Sequence, residues 1–325
     1  MRIANTNAIY IWPYVAVVIL IGVGAAIASG FASFDHLLLI LNLASFLGLV
    51  SIGQTVVILS GGIDLSVSAV VTIAGVVSAT IMAGSNDHLF SGIFISCAIG
   101  AVIGLINGVG VAYLKINPMV MTLGSTTIVQ GLALIYTNGA PKGSAAPLLS
   151  AVASERLGGV VPLVLIIWAA FAVVIVLLLH RTVWGRWVYA LGNSSKAAFY
   201  SGVDVRWTLI SLYVISGLCA AAAGILLTGY TRTSYLNIGD PYQINSIAAV
   251  VVGGASILGG SGSYIGTIAG SHHDGPHPVH IAHTVGARGR QAHHLRRPHS
   301  LSAAALRQGK KTRLIFFAEI DNSAG

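Results

Sequence analysis

Residues 37–58 read LLLILNLASFLGLVSIGQTVVI and contain no charged side chain. An α-helix needs roughly 20 apolar residues to cross the ~30 Å hydrocarbon core of a bilayer, because each residue rises ~1.5 Å. This uncharged stretch meets that length. It therefore predicts a helix that spans a membrane.

Similar apolar runs recur on both sides of this stretch. They show almost no charged face, which disfavours the alternative of buried helices in a large soluble protein. The pattern predicts an all-α, polytopic transmembrane helical bundle of about eight spans. The expected spans cover about residues 11–29, 37–58, 65–84, 91–114, 119–137, 160–179, 208–229 and 245–258. A further apolar stretch runs from Tyr264 to Gly270.

The overall composition also indicates a membrane protein. Of the 325 residues, 55% are hydrophobic and 8% are charged, whereas ordinary soluble domains carry about 25% charged residues. Cys97 and Cys219 lie in apolar runs and show no disulfide framework or metal-ligand spacing. We expect no metal site and no cofactor.

Charge divides the chain into two parts. The net charge of +8 is concentrated in residues 271–325, which also hold 8 of the 11 histidines. Because residues 1–270 are closer to neutral, we do not expect nucleic-acid binding. We predict a transmembrane domain over residues 1–270 and a basic, His-rich tail over residues 271–325.

The predicted loops differ in their Lys and Arg content. Cytoplasmic loops hold the excess of these residues, so the distribution favours a cytoplasmic N-terminus. On this orientation the inner segments carry Arg2, Lys115, Arg181, Arg186, Lys196 and Arg206. The outer segments carry Lys142, Arg156 and Arg232.

Four stretches carry a family resemblance. They are GGIDLSVS at 61–68, GLINGVGVAYLKINPMVMTLG at 104–124, WGRWVYALGNSSKAAFYSGVDV at 184–205 and GDPYQINSIAAVVVGGASILGGSGSYIGTIAG at 239–270. In this order they resemble the permeases of ribose-type monosaccharide ATP-binding-cassette (ABC) importers, from about residue 10 to residue 270. Ser68 departs from the family's usual glycine, and Leu191 stands where the family often has the first of two glycines.

The resemblance implies a subunit of the bacterial inner (plasma) membrane that moves a monosaccharide inward. It also implies four partners: a cytoplasmic ABC ATPase, a periplasmic sugar-binding protein, a second permease copy or homologue, and the lipid bilayer. The alternative is a secondary transporter or channel for a small neutral polar solute, which needs no ATPase. The sequence holds no Walker motif, metalloprotease motif or serine-hydrolase motif, so we expect no catalytic residue in this chain.

The segment 181–206 is the expected contact with the ATPase. Ser194 or Ser195 can cap a short helix that Gly202 ends, and the resemblance implies that such a helix couples the permease to its ATPase. The alternative is an ordinary inner loop with several cations. The predicted coupling residues are Arg186, Asn193, Lys196, Ala197, Ala198 and Gly202.

Polar side chains inside the spans are candidates for the translocation path. Amide and hydroxyl groups suit a neutral polyol, although hydrogen bonds between helices explain the same residues. For Asp64 we prefer a capping role at the helix 65–84 over a role in substrate movement or gating. The candidate path residues are Asn42, Gln54, Asp64, Asn107, Thr122 and Gln130.

The glycines at 253–262 lack the Lys-Ser/Thr of a phosphate-binding loop. Inside a membrane, such a stretch predicts a break in the helix. Irregular backbone is tolerated at that depth only where protein or a water-filled path surrounds it.

The tail begins abruptly after Gly270. Residues 272–277 read HHDGPH, and dropping the first base of their codons yields apolar codons such as those for Ile and Met. We hypothesise that the tail is membrane helix read in the wrong frame, with a frame change at about codon 270–272. The alternatives are a non-helical, disordered tail, or one that binds metal, anionic lipid or nucleic acid.

DNA sequencing through the codons for Ile265 to Leu301 tests this hypothesis. We expect a missing or extra base relative to sister isolates, with an open apolar frame beyond it. An intact frame, together with a translated tail that is stable in the membrane, would contradict the frame change.

Overall fold

The computed structural model describes residues 6–28 and 30–271, and the predicted tail lies outside them apart from Ser271. Twelve α-helices and one two-stranded hairpin make up this part of the chain. The helices are α1 (Thr6–Ile27), α2 (Phe34–Leu59), α3 (Val67–Met82), α4 (Leu89–Ala112), α5 (Pro118–Thr137), α6 (Pro147–Ser154), α7 (Leu163–Arg181), α8 (Val183–Asn193), α9 (Ser195–Tyr200), α10 (Val205–Thr231), α11 (Asp240–Val252) and α12 (Tyr264–Ser271). The antiparallel strands are β1 (Arg156–Leu157) and β2 (Val161–Pro162).

The expected all-α membrane bundle is confirmed. Among the described residues, five helices are long and apolar enough to cross a bilayer: α2, α4 with the short turn before it, α5, α7 and α10. The span expected at 245–258 is wrong, because α11 begins at Asp240 and ends after 13 residues at Val252. A helix of that length covers only ~20 Å.

Local sequence signals set several helix ends. Pro118 occupies the first turn of α5, where its missing N–H costs nothing. The Asn117 side chain accepts a hydrogen bond from Met119 N at 3.0 Å and so caps that helix. Asn117 and Pro118 therefore start this helix.

The connections lie at two ends of the bundle. At one end Gly84 N donates to Ser144 O at 3.0 Å, and Ala145 N donates to Arg232 O at 2.9 Å. We call this the long-loop end, because it holds the connection 138–162. The opposite end holds the connection 182–204 and is called the α9 end.

Helix α10 lies at the centre and packs against α2, α3 and α4. Its approach to α4 depends on glycine. Gly100, Gly104 and Gly108 each face the α10 backbone, and an added Cβ at Gly108 would lie 2.7 Å from Ile210 Cα. Small residues let membrane helices approach closely, so the four-residue spacing of these glycines is a packing feature.

We expect Gly217→Ala to destabilise the bundle, because its Cβ would overlap the carbonyl oxygen of Gly100 across the α4–α10 contact. Overpacking of this kind costs about 1–3 kcal/mol. Thermal unfolding in detergent measures the effect. Gly131→Ala on α5 is the matched control, since its Cβ meets no atom within 4 Å. Equal midpoints for the two variants would contradict the packing role.

Candidate functional site

Asp64 lies in the irregular segment 60–66 between α2 and α3, and its residue is only 1% exposed. Its Oδ1 accepts hydrogen bonds from Ser66 N at 2.9 Å and from Ser66 Oγ at 2.6 Å. Its Oδ2 accepts a hydrogen bond from Ser216 Oγ in the middle of α10 at 2.7 Å. The carboxylate therefore ties the start of α3 to the central helix.

The prediction that Asp64 caps the helix at 65–84 is corrected in one detail. The N-cap position of α3 belongs to Ser66, whose own side chain makes no capping bond. Asp64 instead accepts the Ser66 N–H one residue before the helix begins. Across residues 6–28 and 30–271 the one ion pair joins Arg156 to Asp35, so Asp64 is held by neutral donors.

A second layer of polar side chains surrounds this segment. Asn107 on α4 donates from Nδ2 to Ser66 Oγ at 2.9 Å, and its Oδ1 accepts from Ser125 Oγ on α5 at 2.6 Å. Thr122 Oγ1 accepts from Leu65 N at 3.0 Å. The irregular backbone is thus bonded to α5, and the Ser66 side chain is bonded to α4, which satisfies groups that lipid would leave unpaired.

Two buried side chains, Tyr213 on α10 and Gln54 on α2, hold polar atoms without a hydrogen-bond partner. Tyr213 Oη is buried without a hydrogen-bond partner and lies against Gly62, where an added Cβ would approach it to 2.8 Å. Both amide atoms of Gln54, which is fully buried in α2, also lack a partner. Buried polar groups are nearly always hydrogen-bonded, so these two side chains hold unused bonding capacity.

The predicted path residues do not form one cluster. Asp64, Asn107 and Thr122 meet in the network described above. Asn42 lies near the long-loop end, where it lines a separate cavity, and Gln130 is exposed on α5.

Sequence reasoning missed Ser66 and Ser216 as members of the network. Ser216 is a hydroxyl inside an apolar span, the same signal that marked Thr122. It was therefore recognisable from the sequence of α10.

A backbone junction lies at the α9 end, where three chain segments meet through main-chain atoms. Gly260 N donates to Leu59 O, the last carbonyl of α2, at 2.9 Å. Gly192 packs closely against these two backbone groups. An added Cβ at Gly192 would overlap Leu59 O and would lie 2.4 Å from Gly260 N. Gly259, with φ +87°, lies against Gly61. The predicted break at 253–262 therefore rests on the end of α2.

Helix α9 follows this junction directly. Ser194 caps it by accepting from Ala197 N at 3.3 Å, and Gly202, with φ +82°, follows its end. The predicted short helix is confirmed. Ala198 is buried, whereas Lys196 and the aromatic pair Phe199 and Tyr200 are exposed. Arg186 on α8 is also exposed, and Asn193 lies against Gly260.

These features define a multi-pass membrane protein with a buried polar centre and an exposed helix at one end. Comparison with known proteins identifies its family. Residues 36–273 match the family described as branched-chain amino acid transport system / permease component, and the chain belongs to this family. The match ends beside the point at which the tail begins.

Curated relatives cover most of the chain. A ribose import permease of Haemophilus influenzae is 33% identical over 79% of this chain and 80% of its own length. One of Bacillus subtilis is 35% identical over 79% and 80%. A fructose import permease of Rhizobium meliloti is 36% identical over 79% of this chain and 73% of its own length. No solved structure matches the chain.

We expect Asp64→Ala to destabilise the protein by about 3 kcal/mol, because each buried donor left without an acceptor costs about 1–3 kcal/mol. Ser66 and Ser216 would lose their shared acceptor. Denaturant or thermal unfolding in detergent measures the change. Asp87→Ala removes an exposed carboxylate and should shift stability by less than about 0.5 kcal/mol. A loss at Asp64 no larger than that at Asp87 would show that the carboxylate does not hold the segment.

Proposed function

We propose that this chain is the membrane-spanning permease of an ABC importer that moves a monosaccharide inward. The observation that carries the proposal is the junction at Leu59, Gly192 and Gly260, which connects an exposed helix to the broken centre of the membrane bundle. A permease driven by a separate ATPase needs such a connection. A channel or a secondary transporter does not.

The coupling step follows from the rigidity of that junction. ATP-driven closure of a partner ATPase would displace α9, whose exposed face carries Lys196, Phe199 and Tyr200. The displacement would pass through Gly192 to the end of α2, because packed backbone atoms leave no compressible space. Movement of segment 60–66 would then exchange the hydrogen bonds of Asp64. Packed elements of this kind shift between discrete arrangements.

The polar centre suits a neutral, hydroxylated substrate. Hydroxyl and amide groups surround Asp64, and its three hydrogen bonds already occupy the carboxylate. Gln130 lies exposed on α5 beside Gly131, whose surroundings are open. An exposed amide is costly against lipid, so we propose that this face of α5 lines the path beside a second permease copy.

The family description favours a second candidate substrate, a branched-chain amino acid. Such a zwitterion brings an ammonium and a carboxylate, and each needs a charged or strongly polar partner once desolvated. Among the described residues, no cationic side chain forms an ion pair with Asp64, so none is placed there to bind the carboxylate of the amino acid. The curated relatives named above are ribose and fructose import permeases, which supports the monosaccharide.

We propose that the α9 end faces the cytoplasm. Arg181, Arg186, Lys196 and Arg206 lie in or beside the connection 182–204, as expected for a cytoplasmic loop. The long-loop end then faces the periplasm and meets the sugar-binding protein, and the N-terminus is cytoplasmic.

We expect Ala198→Pro to abolish ATP-dependent uptake of radiolabelled ribose or fructose by the full chain with its ATPase and binding protein. Ala198 N donates to Ser194 O at 2.9 Å, and proline removes this donor from a helix interior. Ser195→Pro is the matched control, because proline is tolerated at the first helical position. It should keep most of the uptake.

Three results would count against the importer. Uptake that persists when every ATPase partner is inactivated would show that the chain needs no ATP. Equal uptake by the two proline variants, at equal membrane levels, would remove α9 from the coupling. Competition of sugar uptake by leucine, but by no sugar, would assign the amino acid as substrate.

A further inference from the structure

An exposed cation lies on an aromatic ring where α4 and α10 meet at the α9 end. The guanidinium carbon of Arg206, the second residue of α10, is 4.9 Å from the centre of the ring of Tyr113, which follows α4 directly. Both residues are exposed. A cation at this distance over an aromatic face is attracted to it, so the contact holds the guanidinium in one place on the surface.

The N–H donors of this guanidinium have no anionic partner. Stacking on the ring occupies a face of the planar group, whereas its five N–H donors lie in the plane. In the part of the chain that the structure describes, the one ion pair joins Arg156 to Asp35 at the opposite end. Arg206 therefore pairs with no carboxylate there, and its fork of donors suits the paired oxygens of a phosphate.

Two more charged residues belong to the surroundings of Arg206. Lys115 is exposed two residues after Tyr113, so the two Cα atoms are at most about 7.6 Å apart, and its long side chain can reach a ligand beside Arg206. Asp204 is exposed and caps α10 by accepting from Trp207 N at 3.0 Å. Two cations and one carboxylate leave the surroundings positive, which favours a ligand with a net negative charge over a neutral one.

An exposed apolar stripe leads along α4 from Tyr113 into the membrane. Its members are exposed and recur at helical spacing: Val102, Leu105, Ile106 and Val109. Tyr113 continues the same face four residues after Val109. Trp207, beside Arg206 in the chain, is 62% exposed. Tyrosine and tryptophan are enriched at the level of lipid headgroups, so the stripe suits an acyl chain and the cations lie where a headgroup phosphate would be.

We propose that Tyr113, Lys115 and Arg206 form a binding site for one anionic phospholipid, such as phosphatidylglycerol, in the leaflet on the α9 side. The phosphate accepts hydrogen bonds from the Arg206 guanidinium, Lys115 adds a second positive charge, and an acyl chain lies along the α4 stripe. Because Arg206 belongs to α10 and the other two residues follow α4, the lipid bridges the two helices. The site does not depend on the proposed function, since lipid binding needs neither an ATPase nor a sugar.

Native mass spectrometry of the full chain in neutral detergent tests the site by counting bound lipid. We expect one dioleoyl phosphatidylglycerol to bind each chain more tightly than dioleoyl phosphatidylethanolamine does. Arg206→Gln should weaken this binding about fivefold, because one cation near the headgroup is lost. Tyr113→Leu keeps both cations but removes the ring that positions the guanidinium, and it should weaken binding by about two- to fivefold.

Arg186→Gln is the matched control for charge. Arg186 is exposed on α8 at the same end, so its loss lowers the general positive charge equally without touching the site. It should leave the tightly bound lipid in place. Without added lipid, Arg206→Gln and Arg186→Gln should unfold at the same temperature, because both side chains are exposed. Soluble glycerol 3-phosphate, added at the same concentration as the lipid, should not displace it.

The outcomes decide between a lipid site and its alternatives. Equal losses from Arg206→Gln and Arg186→Gln would assign the binding to the general charge of this end and overturn the site. Equal binding of the two phospholipids overturns the anionic class, and displacement by glycerol 3-phosphate overturns the lipid in favour of a free phosphate. Binding that Arg206→Gln and Tyr113→Leu weaken, but Arg186→Gln does not, supports the site whether or not sugar uptake proves to need ATP.

Discussion

Hydrocarbon offers no hydrogen bonds, and this constraint governs the architecture. Every helix break at membrane depth must be satisfied from within the protein. Segment 60–66 meets this requirement through Asp64, Thr122 and Asn107. The glycine-rich break meets part of it by bonding Gly260 to the last carbonyl of α2. Both breaks are therefore packed against other segments of the bundle, which supply their hydrogen-bond partners.

The same constraint explains the role of α10. It lies in the middle of the bundle, where glycines of α4 bring the two backbones together. On the α2 side, an added Cβ at Gly53 would lie 2.5 Å from Ser216 Cα, and this closeness lets Ser216 reach the Asp64 carboxylate. Tight packing and the buried polar network thus depend on each other, because the carboxylate would lose the Ser216 donor if α2 and α10 were further apart.

Local sequence signals predicted most of the helices and their ends. Pro118 and Ser194 mark helix starts by their own chemistry, and Ser194 caps α9 as predicted. The span expected at 245–258 failed because apolar residues continue past Val252 although the glycines stop the helix. Hydropathy counts residues and does not detect such a stop.

Contacts between distant segments could not be derived in the same way. A polar residue in a span is visible in the sequence, but its rotation about the helix axis is not. Asn107 therefore points into the network, whereas Gln130 is exposed, although both carry an amide inside an apolar run. The partner of Asp64 on α10 is separated from it by 152 positions.

The junction at the α9 end is made of main-chain atoms and glycines, whereas the exposed face of α9 is made of side chains. These two surfaces therefore differ in the substitutions that they tolerate. On the proposed function, substitutions at Lys196, Phe199 or Tyr200 would change which ATPase surface fits the helix and would leave the junction behind it intact. A permease built in this way could exchange one ATPase for another without a change in its membrane core.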